Sequence, residues 1–268
     1  QRQMCIRDRY VVNDAPGHYS LEVFDVSSGN VHHVKSMVEW MNGDKKDTFA
    51  GEPNGVTRSY GKIYVTNTGS RTDVFDAETY EFITCIGTGT WGEGGYQTVH
   101  AFDVTASQGA VFIRDKRKLV VVLEQDVQPG SAARVPIYSR SVNLQEAMGT
   151  YAVAARNDGF LYVTGQNKNM IYLFDPADIR AGDTGFAPYL VTLGFEKSPQ
   201  AIAFVGDRLF VTLRVDDKRS ELWEISPKNG KLLQDFTDSM VYPEKIAGAR
   251  HTLLVVDRAT QTVKAIGL

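Results

Sequence analysis

One pattern constrains this chain more than any other. An aromatic or aliphatic pair followed by a small polar residue recurs along its 268 residues. It appears as Tyr10-Val11-Val12-Asn13, Tyr64-Val65-Thr66-Asn67, Phe112-Ile113-Arg114-Asp115, Tyr162-Val163-Thr164, Phe210-Val211-Thr212 and Leu254-Val255-Val256-Asp257. Successive starts lie 54, 48, 50, 48 and 44 residues apart. Solenoid repeats of that length are helical pairs. Here apolar residues alternate with period 2, and β-branched and aromatic types dominate, so each unit is a sheet.

The motif marks the second strand of each unit. Turn residues precede it at Tyr60-Gly61-Lys62, Asn157-Asp158-Gly159 and Gly206-Asp207-Arg208, supplying the positive φ that a tight hairpin needs. A third strand follows at 21–25, 72–76, 170–175 and 221–226, and a fourth at 82–86, 189–193 and 231–236. In three units a proline stands eleven residues ahead of the motif: Pro53, Pro199 and Pro243. Each is followed three residues later by an aliphatic residue, Val56, Ile202 or Ile246. Proline cannot donate to a ladder, so it belongs at the first position of a strand. Closing such sheets into a ring hides their edges. The expected fold class is therefore all-β, a six-bladed β-propeller with about four antiparallel strands per blade.

The first and last blades are expected to be incomplete. Tyr10 already lies on a second strand, which puts the first strand near residues 2–6. The last unit has strands near 245–249, 252–257 and 262–268, and no fourth. Residues 1–9 show no strand alternation and read as a non-native or truncated N-terminal segment; residues 10–268 read as a single propeller domain. On that reading, the missing N-terminal sequence supplies both absent strands, along with any export signal.

Composition excludes several functions. A net charge of −3 with no basic tract argues against nucleic acid or an anionic membrane as a partner. No run of 18 apolar residues is present, so no transmembrane segment is expected. Two cysteines, Cys5 and Cys85, make neither a disulfide framework nor a zinc site. Cys85 sits in a strand-like run and reads as a small buried apolar residue. Gly-x-Ser-x-Gly and His-Glu-x-x-His are both absent, so no catalytic residue, metal site or cofactor is assigned.

Tyr64-Val65-Thr66-Asn67, with Val74-Phe75-Asp76 and Thr79 behind it, resembles the bacterial YVTN-type propeller repeat. The stretch from Ile86-Gly87-Thr88-Gly89 to Phe112-Ile113-Arg114-Asp115 is similar to the NHL-type repeat. The resemblance covers residues 10–268. It implies an extracytoplasmic scaffold, in the periplasm or at the cell surface, that binds a polar small molecule, a glycan or a protein on one face. A metal-dependent lactonase or lyase working at the mouth of the central channel is the alternative, since fold alone does not set activity.

Residues just after the strand-opening prolines should ring one channel mouth: Asn54, Gln200 and Glu244, joined by His100 if the turn at 105–109 is two residues longer, while the fourth unit offers Ala152. Such a ring suits a polar ligand, and His and Glu are competent metal ligands, although channel mouths are wet and polar in any case. Arg58 and Arg156 take equivalent places and either bind an anion or pair with carboxylates. Trp91 and Tyr96, in the Gly-rich stretch 87–96, offer an aromatic platform for a sugar or peptide, or simply plug a connection between blades. That stretch lacks the following Lys-Ser or Lys-Thr of a phosphate loop. Insertions at 37–47 and 125–134 are further candidates for recognition.

Overall fold

The computed structural model describes residues 8–13, 15, 17–25, 32–87, 100–115, 119–128, 152–165, 169–175, 191–249 and 251–268. Strands β1 (Asp8–Asn13), β2 (Ser20–Asp25) and β3 (His32–Met37) form the first sheet. A hairpin of β4 (Glu39–Asn42) and β5 (Lys45–Thr48) follows. Next come a four-stranded sheet, β6 (Pro53–Ser59), β7 (Lys62–Asn67), β8 (Arg71–Asp76) and β9 (Phe82–Ile86), and a three-stranded one, β10 (Ala101–Ser107), β11 (Ala110–Asp115) and β12 (Leu119–Leu123). Two four-stranded sheets follow: β13 (Val153–Ala155), β14 (Leu161–Gly165), β15 (Met170–Phe174) and β16 (Val191–Gly194); then β17 (Ser198–Val205), β18 (Arg208–Arg214), β19 (Ser220–Ile225) and β20 (Leu232–Asp235). The last sheet is β21 (Pro243–Ala249), β22 (Thr252–Asp257) and β23 (Thr262–Gly267).

Each sheet is ordered as the chain runs, and every pairing described is antiparallel. The all-β expectation is borne out. The six motifs lie on β1, β7, β11, β14, β18 and β22, one per repeat sheet. Among the described residues the first sheet begins with its motif strand and the last ends at its third strand. The turns do what their residues predict: Tyr60 and Gly61 have φ of 51° and 72°, the paired positive values of a two-residue hairpin.

The chain divides into two compact units, residues 1–106 with 122–138 and residues 107–121 with 139–268. The first has a core of Leu21, Val23, Ile63, Val65 and Phe75, closed by Trp40 and Phe49. The second has one cluster built on Tyr162, Ile171, Leu209, Val211 and Ile225 and another on Phe210, Leu222, Leu253 and Val255. Alternate strand residues supply these cores because successive side chains point to opposite faces.

The insertion at 37–47 is not an open recognition loop. It folds into the β4–β5 hairpin, and Trp40 is 8% exposed. The indole packs edge-on against Phe49 and Phe75, both at 4.9 Å, and stacks over Phe82 at 5.8 Å. Arg71 ties the hairpin to the second sheet, with Nη1 donating to Asp47 at 3.0 Å and Nη2 to the Thr48 carbonyl at 2.6 Å. A large aromatic beside apolar neighbours gains more from burial than from solvent.

Each strand-opening proline introduces a β-bulge. Register shifts fall between Pro53 and Gly55, Pro199 and Ile202, and Pro243 and Lys245. The threonine of the motif secures this irregularity. Thr66 Oγ1 accepts from Gly55 N at 3.0 Å, Thr164 Oγ1 from Ala152 N at 3.1 Å, and Thr212 Oγ1 from Ala201 N at 2.9 Å. All three threonines are fully buried. Thr212→Val keeps the shape but strands a buried N–H, so we expect a loss of about 1–3 kcal/mol. Urea unfolding checks this, and an unchanged midpoint would dismiss the hydrogen bond as the reason for threonine here.

Candidate functional site

A bulge turns a side chain out of the ladder and re-aims it. Asn54, Gln200 and Glu244 occupy these bulges, each half-buried and each next to a buried proline. In the second unit two of them meet. Gln200 on β17 and Glu244 on β21 line one cleft of about 460 Å³. Arg214 at the end of β18, Asp217 in the turn after it, and Lys245 and Arg258 beside Glu244 complete its polar wall, with Tyr242 below.

The geometry there is built from the backbone outward. Asp257 ends β22 and is fully buried; it accepts from Val241 N at 3.1 Å and Tyr242 N at 3.0 Å. Burial opposes its charge, but these two N–H groups and Lys264 hold its carboxyl below the usual carboxylate range. This bridge fixes the segment leading into β21, and with it Tyr242, which is 6% exposed. Arg258 lies over the Tyr242 ring at 5.9 Å, and its Nη1 donates to Glu244 Oε1 at 3.1 Å. Arg214 pairs in the same way with Asp217, which the turn at 215–219 presents to solvent. Both arginines follow their own motif starts, Phe210 and Leu254, by four residues.

The first unit holds a smaller polar group. Asn54 Nδ2 donates to the Glu52 carbonyl at 3.1 Å. His100 Nδ1 lies 3.1 Å from the Thr68 carbonyl, which can only accept, so that nitrogen carries the proton. The imidazole stacks on Phe102 at 5.8 Å. Glu52 and Thr68 are themselves joined, Thr68 N donating to Glu52 O at 2.9 Å, so Asn54 and His100 flank one strand end.

Three sequence expectations need correction. The third unit's hairpin is not lengthened: β10 ends at Ser107, and Gln108 and Gly109 form a two-residue turn like Tyr60 and Gly61. His100 therefore stands level with Glu52, and Phe102 takes the place of Asn54. The fourth unit's turn is the longer one. Ala154 pairs with Tyr162 where Thr57 pairs with Tyr64, so Ala152 matches Gly55 and the bulge position falls on residue 151, outside the described residues. The same extra residue breaks the equivalence of Arg58 and Arg156. Arg58 pairs within the ladder opposite Ile63, while Arg156 lies past its end.

Arg156 is already engaged. Its Nε donates to both Asp158 oxygens at 2.9 Å and its Nη1 to the Tyr162 hydroxyl at 3.3 Å. Arg58 and Arg156 stand at the hairpin end of their strands, and the bulge residues stand at the opposite end of theirs. Trp91, Tyr96 and most of the 125–134 insertion lie outside the described residues. Among the described residues, no three His, Cys, Asp or Glu side chains gather as metal ligands would, and no helix is long and apolar enough to cross a membrane. The sequence reading missed Arg214 and Arg258; their shared offset from the motif was the available signal.

The chain is similar in fold to solved structures. A proposed 6-phosphogluconolactonase from Bacteroides fragilis shares 15% identity over 97% of this chain and 77% of its own, with a TM-score of 0.60. A second, from Bacteroides uniformis, shares 14% identity over 97% and 78%, with a TM-score of 0.62. The β-propeller domain of Cps50 (Swd1) from Myceliophteria thermophila shares 10% identity over 98% and 94%, with a TM-score of 0.59. No protein-family model matches the sequence, and no curated protein matches it. The likeness is one of fold: the chain is a β-propeller of antiparallel repeat sheets.

Proposed function

We propose that this propeller is a binding module and that the cleft at the bulge end of β17 and β21 takes a small polar ligand. The observation that carries this reading is the convergence of Gln200 and Glu244, two bulge residues from successive repeats, on one cleft of about 460 Å³. Ligand pockets combine such a volume with a few placed polar groups. The module is of the YVTN/NHL type and acts outside the cytoplasm, in the periplasm or at the cell surface. Retention of the protein in the cytosol of expressing cells would count against that location. Asn54 and His100 offer a second polar contact surface in the first unit.

A thermal-shift screen of polar small molecules tests the reading. A true ligand at a hundred times its Kd adds about 2.7 kcal/mol of stability, and Gln200→Ala removes that gain. A ligand whose effect survives Gln200→Ala binds elsewhere.

The second reading is a propeller enzyme acting on a sugar lactone, favoured by the activity proposed for the two Bacteroides relatives in fold. In its metal-dependent form it predicts that a divalent ion raises the melting temperature and that Glu244→Gln abolishes lactone opening. Neither effect is expected from a binding module.

A further inference from the structure

Charged side chains of both signs line the cleft. Arg214, Lys245 and Arg258 face it against Asp217 and Glu244, an excess of cations in a chain whose net charge is −3. Both arginines are held by carboxylates that solvent reaches. Asp217 is 85% exposed and Arg258 66% exposed, so the two ion pairs are screened and weak. The guanidinium of Arg258 has five N–H donors, more than one carboxylate oxygen can accept. It also lies over the Tyr242 ring, which the Asp257 bridge positions. The arginine therefore keeps one contact when its carboxylate partner leaves. Glu244 sits on a bulge, where its side chain is free of ladder constraints on direction.

We infer that the cleft binds an anionic ligand by exchange: a phosphate or carboxylate group displaces Glu244 from Arg258 and is clamped between Arg258, Lys245 and Arg214, while Gln200 reads a neighbouring hydroxyl. This rests on the binding reading and adds its ligand class. Glu244 is then a resident competitor. It keeps the guanidinium paired when the cleft is empty and sets a threshold that a weakly charged ligand does not cross. A planar fork suits a two-oxygen anion better than a point charge does, which places arginine rather than lysine at both repeat-equivalent positions.

Calorimetric titration with inorganic phosphate, gluconate, 6-phosphogluconate and glucose, at low and high salt, tests the exchange. The phosphate arms and the carboxylate arm separate the two anion sources. At least one anion is expected to bind, more weakly in high salt. Arg258→Gln should weaken it at least about tenfold. Glu244→Gln should tighten it by about threefold, because the competitor loses its charge. Melting curves of both variants confirm that they fold. The opposing signs matter: a site that used Glu244 as a contact would lose affinity in both variants. Glucose binding that Gln200→Ala abolishes, with no anion bound, overturns the exchange and leaves the cleft reading standing. Silence of all four probes overturns the exchange, and failure of the wider screen then removes the cleft reading as well.

Discussion

Gly248→Ala should prevent the last sheet from docking and cost about 3 kcal/mol or more, the upper end for overpacking. A Cβ on Gly248 would lie 1.7 Å from the Phe204 carbonyl oxygen and 2.7 Å from its carbon. Both are backbone atoms that no rotamer change can move. The clash is a consequence of the repeat. Gly248 and Phe204 each stand six residues ahead of their own motif start, so equivalent points on β21 and β17 touch. In the first unit the same relation recurs nine residues ahead of the motif, where a Cβ on Gly55 would lie 2.8 Å from Asp103 Cα. First strands of successive repeats therefore approach backbone to backbone. The cleft spans β17 and β21, so Gly248→Ala should also abolish ligand binding. A variant that unfolds at the wild-type urea concentration would disprove the close approach.

Arg71→Met should cost about 3–5 kcal/mol near pH 8, because it leaves a buried carboxylate without its partner. Asp73 is fully buried, with Oδ1 2.7 Å from Arg71 Nε and Oδ2 accepting from Asn67 Nδ2 at 2.9 Å. Arg71 also serves Asp47, so two carboxylates share one cation. Burial first, and the Asp47 charge second, push the Asp73 carboxyl up to about 7 against the pull of Arg71 and Asn67. The fold thus favours the protonated acid. Stability from this group is complete below about pH 4, where the unfolded chain is protonated too, and is lost as pH rises through about 7. Asp73→Asn removes that dependence, so the wild type should lose stability relative to it between pH 4 and 8. In Arg71→Met the acid has no cation to oppose burial, so the loss continues to higher pH, and adding Asp73→Asn should recover more than half of it. Urea midpoints at pH 5 and pH 8 for the four proteins decide the matter. Equal losses for Arg71→Met at both pH values would show that only the hairpin contacts were removed.

Much of the architecture was legible in the sequence because it is local and repeated. The motif placed a strand in each of six sheets, and strand 22 fell on residues 252–257 as expected. The proline offset found where three first strands open, because a residue without an N–H cannot serve an interior ladder position; the register shift after each proline appeared only in the structure. The buried role of the motif threonine was hidden, since a Thr in a strand reads equally well as a β-branched filler. The candidate site was legible only in part. Gln200 and Glu244 were found, but the arginines that line the same cleft follow the motif in stretches that resemble ordinary turns.

The sequence by itself determined how many repeat sheets form and which of their strands carry the core. Those properties depend on alternation and on a few φ-permissive residues, all within one unit. Only the tertiary structure decided which polar residues share a site. One added residue in the turn at 157–159 moved Arg156 out of register with Arg58. The unlengthened turn at Gln108–Gly109 took His100 away from the bulge position. Side chains alternate with each residue along a strand, so a single step reverses the direction of every one of them, and a pattern read along one chain cannot carry that information between units.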